Sequence, residues 1–227
     1  MIDGEKFAEI AGLICEPNRA KILWNLLDGR AYTASELAIS IEISPTSISN
    51  HLSKLLEARL VKVVTQGRHR YYSYDRPEVA YVVESLANLN QPDSFVKKNV
   101  HEITGIKYCR TCYDHLAGKV SIQITEALEH NFLIKKSGKD FLISEAGWEW
   151  LKKLNITPDQ LASKRRPIAL QCLDWSERKH HIAGQLGAFL LQKMLAEDWM
   201  RKVTFSRELV VTSKGKKELY QLLGVIL

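Results

Sequence analysis

The apolar positions change period along the chain. Phe7, Ile10, Ala11 and Ile14 recur at helical spacing and predict a first helix ending near Cys15. Pro17 and Asn18 open a second, whose apolar face is Ile22, Leu23, Leu26 and Leu27 and which stops at Asp28-Gly29. Thr33 or Ser35 caps a short third helix through Leu37 and Ile39. Ser44 followed by Pro45 starts a fourth, since proline at the first helical position gives up an amide that has no helical partner there. That helix runs to about Ala58. Beyond it the pattern alternates: Leu60 to Val64 and Arg70 to Tyr74 flank Thr65-Gln66-Gly67-Arg68, which predicts a β-hairpin with a glycine turn. A fifth helix covers Glu78 to Leu89, and Asn90-Gln-Pro-Asp marks a boundary.

The second half of the chain repeats itself. His115-Leu-Ala-Gly-Lys-Val is matched by His181-Ile-Ala-Gly-Gln-Leu, and Phe141 to Gly147 by Leu209 to Gly215. Each unit reads as helix, hairpin, Ser/Thr-x-x-Gly, helix, with Lys164-Arg-Arg-Pro167 as a solvated linker between them. A strand running into a Ser/Thr-capped helix is similar to the ending of many winged-helix domains. The expected architecture is therefore α+β and mostly helical. A winged helix-turn-helix domain occupies 1–92, and winged-helix-like repeats occupy 108–160 and 168–227.

Composition narrows the class. The 227 residues are 45% apolar and 26% charged, ordinary for a globular chain. No stretch approaches the roughly 18 uncharged apolar residues of a membrane span, and Asp3 and Glu5 precede any apolar run, unlike a secretory signal. A cytoplasmic protein with no membrane partner is expected. The net charge of +6 suits a polyanion without requiring one. Its distribution says more. The first 107 residues balance 13 basic against 13 acidic side chains, yet Ser44 to Tyr74 holds Lys54, Arg59, Lys62, Arg68 and Arg70 against the single acid Glu57. Residues 108–227 carry 19 basic and 13 acidic side chains.

The segment Thr33 to Tyr74 carries the chemistry. Its second helix has an inner face of Ile48, Leu52, Leu55 and Leu56. The opposite face offers Thr46, Ser47, Ser49, Asn50, Ser53 and Lys54, small and rich in donors and acceptors, with no carboxylate before Glu57. A helix entering the major groove needs such a face. The hairpin tip adds Arg68, His69 and Arg70, within reach of phosphate or the minor groove.

On these residues the chain resembles the ArsR/SmtB family of bacterial regulators. Four motifs carry the resemblance, in order across roughly residues 5–90: Glu16-Pro-Asn-Arg-Ala-Lys-Ile-Leu23, Ala34-Ser-Glu-Leu-Ala38, Ser44 through Leu56, and Gly67-Arg-His-Arg-Tyr-Tyr-Ser73. The resemblance implies a homodimer that binds a double-stranded operator, most often as a repressor. Ser44, Thr46, Ser47, Ser49, Asn50, His51 and Lys54 would lie on the recognition helix, and Arg68, His69 and Arg70 in the wing. Phe7, Ile10, Ile14, Val79, Val82, Val83 and Leu86 would lie at the dimer interface. Two ligand positions of metal-sensing members are missing: Glu36 to Ile41 has no cysteine, and Glu78 to Ala87 has no histidine. Cys112-Tyr-Asp-His-Leu-Ala-Gly and Cys172-Leu-Asp-Trp-Ser-Glu-Arg look like the C-terminal extension of one subgroup.

What remains for metal or redox chemistry is Cys109-Arg-Thr-Cys112 with His115, and Cys172 with His180 and His181. Cys109, Cys112, His115, Cys172 and His181 form a candidate set for zinc, another thiophilic ion or arsenite. A dithiol switch with a thiolate stabilised by Arg110 is a second reading, and structural thiols and histidines a third; the sequence leaves all three open. Enzymatic motifs are missing: there is no nucleophile elbow, phosphate loop or His-Glu-x-x-His. Trp148, Trp150, Trp175 and Trp199 are expected in the core of the second half. Lys135, Lys136, Arg201, Lys202, Lys214, Lys216 and Lys217 could extend a phosphate footprint.

Overall fold

The computed structural model describes residues 4–89, 104–161, 166–204 and 206–227. The boundary expected at Asn90-Gln-Pro-Asp and the first half of the linker at Lys164-Arg-Arg-Pro167 lie outside them. The chain divides into two compact units, Met1–Leu89 and Asn90–Leu227.

The first unit runs α1 (Gly4–Cys15), α2 (Pro17–Leu26), β1 (Tyr32–Thr33), α3 (Ala34–Ile41), α4 (Pro45–Glu57), β2 (Val61–Gln66), β3 (His69–Tyr74) and α5 (Pro77–Asn88). The starts of α2, α3 and α4 have local causes. The Glu16 carboxylate caps α2 by accepting from the backbone N–H of Asn18 and Arg19, at 3.2 and 2.9 Å. Arg19 turns back to donate to the Leu13 and Gly12 carbonyls at the end of α1, at 2.6 and 3.0 Å. One Glu-Pro-x-Arg corner thus satisfies both helix ends and places opposite charges at the matching ends of two helix dipoles. Thr33, rather than Ser35, caps α3 in a reciprocal capping box with Glu36. Glu42, in the left-handed region at φ 59°, closes α3, and Ser44 caps α4 by accepting from Ser47 N–H at 3.2 Å. Helices α3 and α4 are therefore joined by a tight turn.

Strands β2 and β3 pair antiparallel from Val61↔Tyr74 to Gln66↔His69, leaving Gly67-Arg68 as a two-residue turn. The ladder thus extends through Thr65 and Gln66, which the sequence pattern assigned to the turn region. β1 adds to β3 through Tyr32↔Tyr72 and Thr33↔Tyr71. Two residues are too few for an alternating pattern, so this strand left no signal in the sequence. Leu26, Leu27, Leu37, Ile48, Leu52 and Leu55 fill the core, and the Tyr74 hydroxyl donates to the Leu23 carbonyl at 2.5 Å, tying the hairpin to α2.

The second unit shows one element order twice. The first pass is β4 (Arg110–Cys112), β5 (His115–Ala117), α6 (Lys119–His130), β6 (Ile134–Ser137), β7 (Asp140–Ile143) and α7 (Glu145–Lys152). The second is β8 (Leu170–Leu173), β9 (His180–Ala183), α8 (Gly184–Ala196), β10 (Met200–Lys202), β11 (Leu209–Val211) and α9 (Ser213–Leu223). A hairpin therefore precedes each first helix, which periodicity did not predict. Among the described residues neither pass carries a helix-turn-helix pair ahead of its second hairpin. The likeness to a winged helix is confined to the hairpin-to-capped-helix ending.

The two passes interleave. Strands β6-β7-β8-β9 form one sheet, so the first hairpin of the second pass joins the second hairpin of the first. Phe141 N–H donates to the Ala169 carbonyl at 2.8 Å and Gln171 N–H to Lys139 at 2.9 Å. The same bonds recur at the equivalent positions: Leu209 N–H to Cys109, and Thr111 N–H to Arg207, both at 2.9 Å. The repeats thus exchange hairpins about a pseudo-two-fold relation and share one core. That core includes Trp150 and Trp199, with Trp148 packed against it, as expected for these tryptophans; Trp175 instead lies over the Arg110 guanidinium, 4.4 Å from its carbon to the ring centre.

The Ser/Thr-x-x-Gly signature has a steric cause. Ser144 and Thr212 accept from Gly147 and Gly215 N–H at 2.9 and 3.0 Å. A Cβ on either glycine would collide with a backbone carbonyl oxygen, Leu133 or Trp199. Gly147→Ala and Gly215→Ala should each cost roughly 1–3 kcal/mol. Gly12→Ala, with nothing within 4 Å of the added carbon, should instead gain roughly 0.4–1 kcal/mol. Urea denaturation of the three variants checks both signs.

Candidate DNA interface and a buried cysteine–histidine cluster

Ile48, Leu52 and Leu55 are buried, so the opposite face of α4 looks to solvent. Thr46, Ser49, Asn50 and Lys54 are exposed on it and Ser47 is half-buried. Two side chains on this helix have partners within the protein. Ser49 Oγ donates to the Pro45 carbonyl at 2.9 Å. His51, half-buried, sits with Nδ1 3.4 Å from the Glu16 carboxylate, so it faces the start of α2 as well as the outer surface. At the hairpin tip Arg68, His69 and Arg70 are all exposed. Arg68 Nε lies 3.4 Å from His69 Nε2, and Arg70 stacks its guanidinium 5.7 Å from the Tyr72 ring centre. The segment therefore presents an acid-free polar helix face and a cationic hairpin tip.

The apolar residues expected at a dimer interface divide. Ile14, Val79 and Val83 are buried in the unit's own core, whereas Phe7, Ile10, Val82 and Leu86 stay exposed at 67, 41, 46 and 39%. The exposed four line an apolar groove of about 350 Å³ between α1 and α5.

In the second unit the strand register brings together four of the five candidate ligands. Cys112 opposes His115 across β4–β5, and Cys172 opposes His181 across β8–β9. Their ligand atoms, two Sγ and two ring nitrogens, all lie within 4.8 Å of one another. The two sulfurs are 3.9 Å apart and the two Nε2 atoms 3.1 Å. Cys112, His115 and His181 are buried, and Cys172 is half-buried. The fifth candidate, Cys109, is a correction. It is fully buried in the apolar core and holds the position that Ala169 holds in the other repeat. It lies in a bend just before β4 and is not among the four residues whose ligand atoms converge. Burial pushes the Cys109 thiol up to about 12, Glu208 adds to the rise, and Arg110 opposes it. Arg110 is committed elsewhere. It donates to Asp174 at 2.8 Å, both side chains being fully buried. His180, the neighbour of His181, is exposed on the other face of β9.

A carboxylate stands behind each histidine. His115 Nδ1 is 3.2 Å from Asp114, and His181 Nδ1 is 3.5 Å from Asp174. Each carboxylate is held by an arginine, Asp114 by Arg166 through a bidentate pair and Asp174 by Arg110. Asp174 also accepts from Gly118 N–H at 2.7 Å and from the Ser176 hydroxyl at 2.7 Å. Burial pushes its pKa up, but Arg110, His181 and these hydrogen bonds outweigh it and hold the carboxyl well below the ordinary range. The two histidines diverge. Burial favours neutral His115, yet the Cys112 sulfur and Asp114 outweigh it and raise it to about 9. His181 is driven well below its ordinary value by burial and by the facing His115. The sequence showed the repeated Cys and His but not the pairing of Asp114 and Asp174 with Arg166 and Arg110. Arg166 is far from Asp114 in the chain and has no periodic signature.

Several cations considered for a wider phosphate footprint already have acidic neighbours. Lys136 lies 3.2 Å from Glu129, Arg201 2.6 Å from Asp198, and Lys214 3.5 Å from Glu197.

The first unit is that of a winged helix-turn-helix DNA-binding protein. The family model "Bacterial regulatory protein, arsR family" matches residues 16–63. An HTH-type transcriptional regulator of Bacillus subtilis, YdfF, is 43% identical over 211 residues, covering 92% of this chain and 93% of its own length. The chain belongs to the ArsR family of transcriptional regulators. The transcriptional repressor SdpR of the same bacterium is 42% identical over 82 residues, 36% of this chain and 90% of its own. Among solved structures, NolR from Sinorhizobium fredii is 26% identical with a TM-score of 0.36, covering 38% of this chain and 86% of its own. Among the described residues no helix is long and apolar enough to cross a membrane.

Removing Arg110 should leave the Asp174 carboxylate buried without its principal counter-charge. Arg110→Met is expected to cost about 3–5 kcal/mol, read by chemical denaturation. A loss below about 1 kcal/mol would mean that the pair does not organise this centre.

Proposed function

We propose that the protein is a homodimeric, cytoplasmic repressor that reads an operator with α4 and holds the phosphate backbone with the β2–β3 wing, using residues 1–92 for both DNA binding and dimerisation. One observation carries this reading: the same unit exposes a polar face of α4 with no carboxylate before Glu57 and a cationic hairpin tip at Arg68, His69 and Arg70. Thr46, Ser47, Ser49 and Asn50 supply donors and acceptors to base edges, while Ser44, His51 and Lys54 flank them. Repression is supported by the likeness to SdpR, which is named a transcriptional repressor. The dimer is supported by Phe7, Ile10, Val82 and Leu86, an apolar surplus that a two-fold partner would bury. Residues 108–160 and 168–227 act as a tandem repeat with winged-helix-like endings. A second reading makes this C-terminal part a metal-, arsenical- or redox-responsive module. It is favoured by the convergence of Cys112, His115, Cys172 and His181.

Asn50→Ala should weaken operator binding by roughly 1–3 kcal/mol and leave unrelated duplexes unaffected. Arg68→Ala should weaken all duplexes alike and flatten the salt dependence by about one unit. Fluorescence anisotropy against the chain's own promoter region and a scrambled duplex separates the two effects. A change of sequence preference in Arg68→Ala, with none in Asn50→Ala, reverses the assigned roles. Val82→Asp places a charge in the proposed interface and should give monomers at micromolar concentration in analytical ultracentrifugation. A dimer of unchanged stability would remove α1 and α5 as the contact.

A further inference from the structure

We infer that Cys112, His115, Cys172 and His181 bind one Zn²⁺ ion in a closed tetrahedral Cys2His2 centre, to which each repeat contributes its equivalent cysteine and histidine. The inference deepens the second reading of the C-terminal unit and is independent of operator binding.

The geometry comes first. Around a tetrahedral ion with Zn–S about 2.3 Å and Zn–N about 2.0–2.1 Å, two thiolates stand roughly 3.8 Å apart and two imidazole nitrogens roughly 3.3 Å. The protein holds its sulfurs at 3.9 Å and its Nε2 atoms at 3.1 Å. Each Cys–His pair sits directly across a hairpin, at Cys112↔His115 and Cys172↔His181, so the strand register fixes which atoms meet. The four ligand positions follow the pseudo-two-fold relation of the repeats, whereas Cys109 has Ala169 as its counterpart and takes no part.

The surroundings also suit a metal. Both histidines point Nε2 inward and Nδ1 toward a carboxylate, Asp114 or Asp174. At His115 the hydrogen bond between Nδ1 and Asp114 fixes the tautomer that leaves Nε2 free to ligate, whereas His181 Nδ1 faces Asp174 at 3.5 Å without a hydrogen bond. Arg166 and Arg110 in turn hold the carboxylates. Gly187 lets α8 approach the site, since a Cβ there would come within 3.0 Å of the His115 Cβ. Two sulfurs with two nitrogens in tetrahedral array favour zinc over calcium or magnesium, which prefer oxygen, and over square-planar copper or nickel. Four protein ligands leave no open position, the mark of a structural rather than a catalytic ion. The ion would clamp β4–β5 to β8–β9 at the point where the two repeats exchange hairpins.

The test uses the untagged full-length chain, purified without chelator. Elemental analysis should find about one zinc per chain. After zinc is stripped, Co²⁺ should refill the site at one equivalent. It should show the intense visible absorption of tetrahedral coordination together with a thiolate-to-cobalt charge-transfer band. The double variant Cys112→Ser/Cys172→Ser should lose the ion, while Cys15→Ser and Cys109→Ala keep it. Asp114→Asn should weaken cobalt binding about 10–100-fold, with circular dichroism confirming that it remains folded. Wild-type protein that is folded, zinc-free and takes up no Co²⁺ would overturn the inference, as would a Cys112–Cys172 disulfide in protein kept under reducing conditions. Full occupancy in the double variant would overturn it too.

Discussion

Burial of Ile48, Leu52 and Leu55 is the constraint on which the DNA-binding unit depends. These three occupy one stripe of a 3.6-residue period, and packing them against α2 and α3 decides which residues of α4 are left outside. Thr46, Ser49, Asn50 and Lys54 face outward because the opposite stripe cannot. The neighbouring elements preserve that orientation. The tight turn at Glu42 sets α3 against α4, the Glu16–Arg19 corner fixes α2, and Tyr74 ties the hairpin back to α2. Which polar surface α4 exposes follows from how strictly its apolar one is placed.

The second unit obeys a different rule, that buried polar groups must find partners. Its centre gathers two cysteines, two histidines, two aspartates and two arginines, with most of them withdrawn from water. Duplication solves the problem economically. The hairpin that places Cys112 beside His115 places Cys172 beside His181, and interleaving brings the two pairs face to face. The arginines break the symmetry: Arg110 belongs to the first repeat's own β4 and serves Asp174, while Arg166 precedes the second repeat's β8 and serves Asp114. The two sites therefore have matching chemistry built from non-equivalent residues.

Much of this was legible in the sequence because it rests on local causes. Caps at Thr33 and Ser44, the proline at position 45, the stripe of α4 and the Gly67 turn are all short-range signals, and the structure shows each of them. The Ser/Thr-x-x-Gly motif signalled the repeat because its glycine touches a backbone carbonyl, a requirement that no other residue meets. What escaped detection depends on long-range pairing. β1 is too short to show a period, and the first hairpin of each repeat reads in isolation as irregular chain. Cys109 seemed to belong with Cys112 because Cys-x-x-Cys spacing suits a turn. Here Cys109 precedes β4 and is buried in the apolar core while Cys112 ends the strand, a difference that the spacing alone does not show. The dimer residues differ in exposure for a related reason: Ile14, Val79 and Val83 follow the same helical stripe as Phe7, Ile10, Val82 and Leu86, and only packing shows which of them the unit buries by itself.

If two copies of α4 read DNA together, the operator is constrained in space. A two-fold dimer should place its recognition helices in successive major grooves on one face of the duplex, about 34 Å apart. Hydroxyl-radical and methylation footprinting of the full-length protein on its own promoter region measures this directly. Two protected half-sites one helical turn apart are expected, with guanine N7 protection inside each. A single short footprint, or protection spread evenly along the fragment without groove-specific positions, would contradict it.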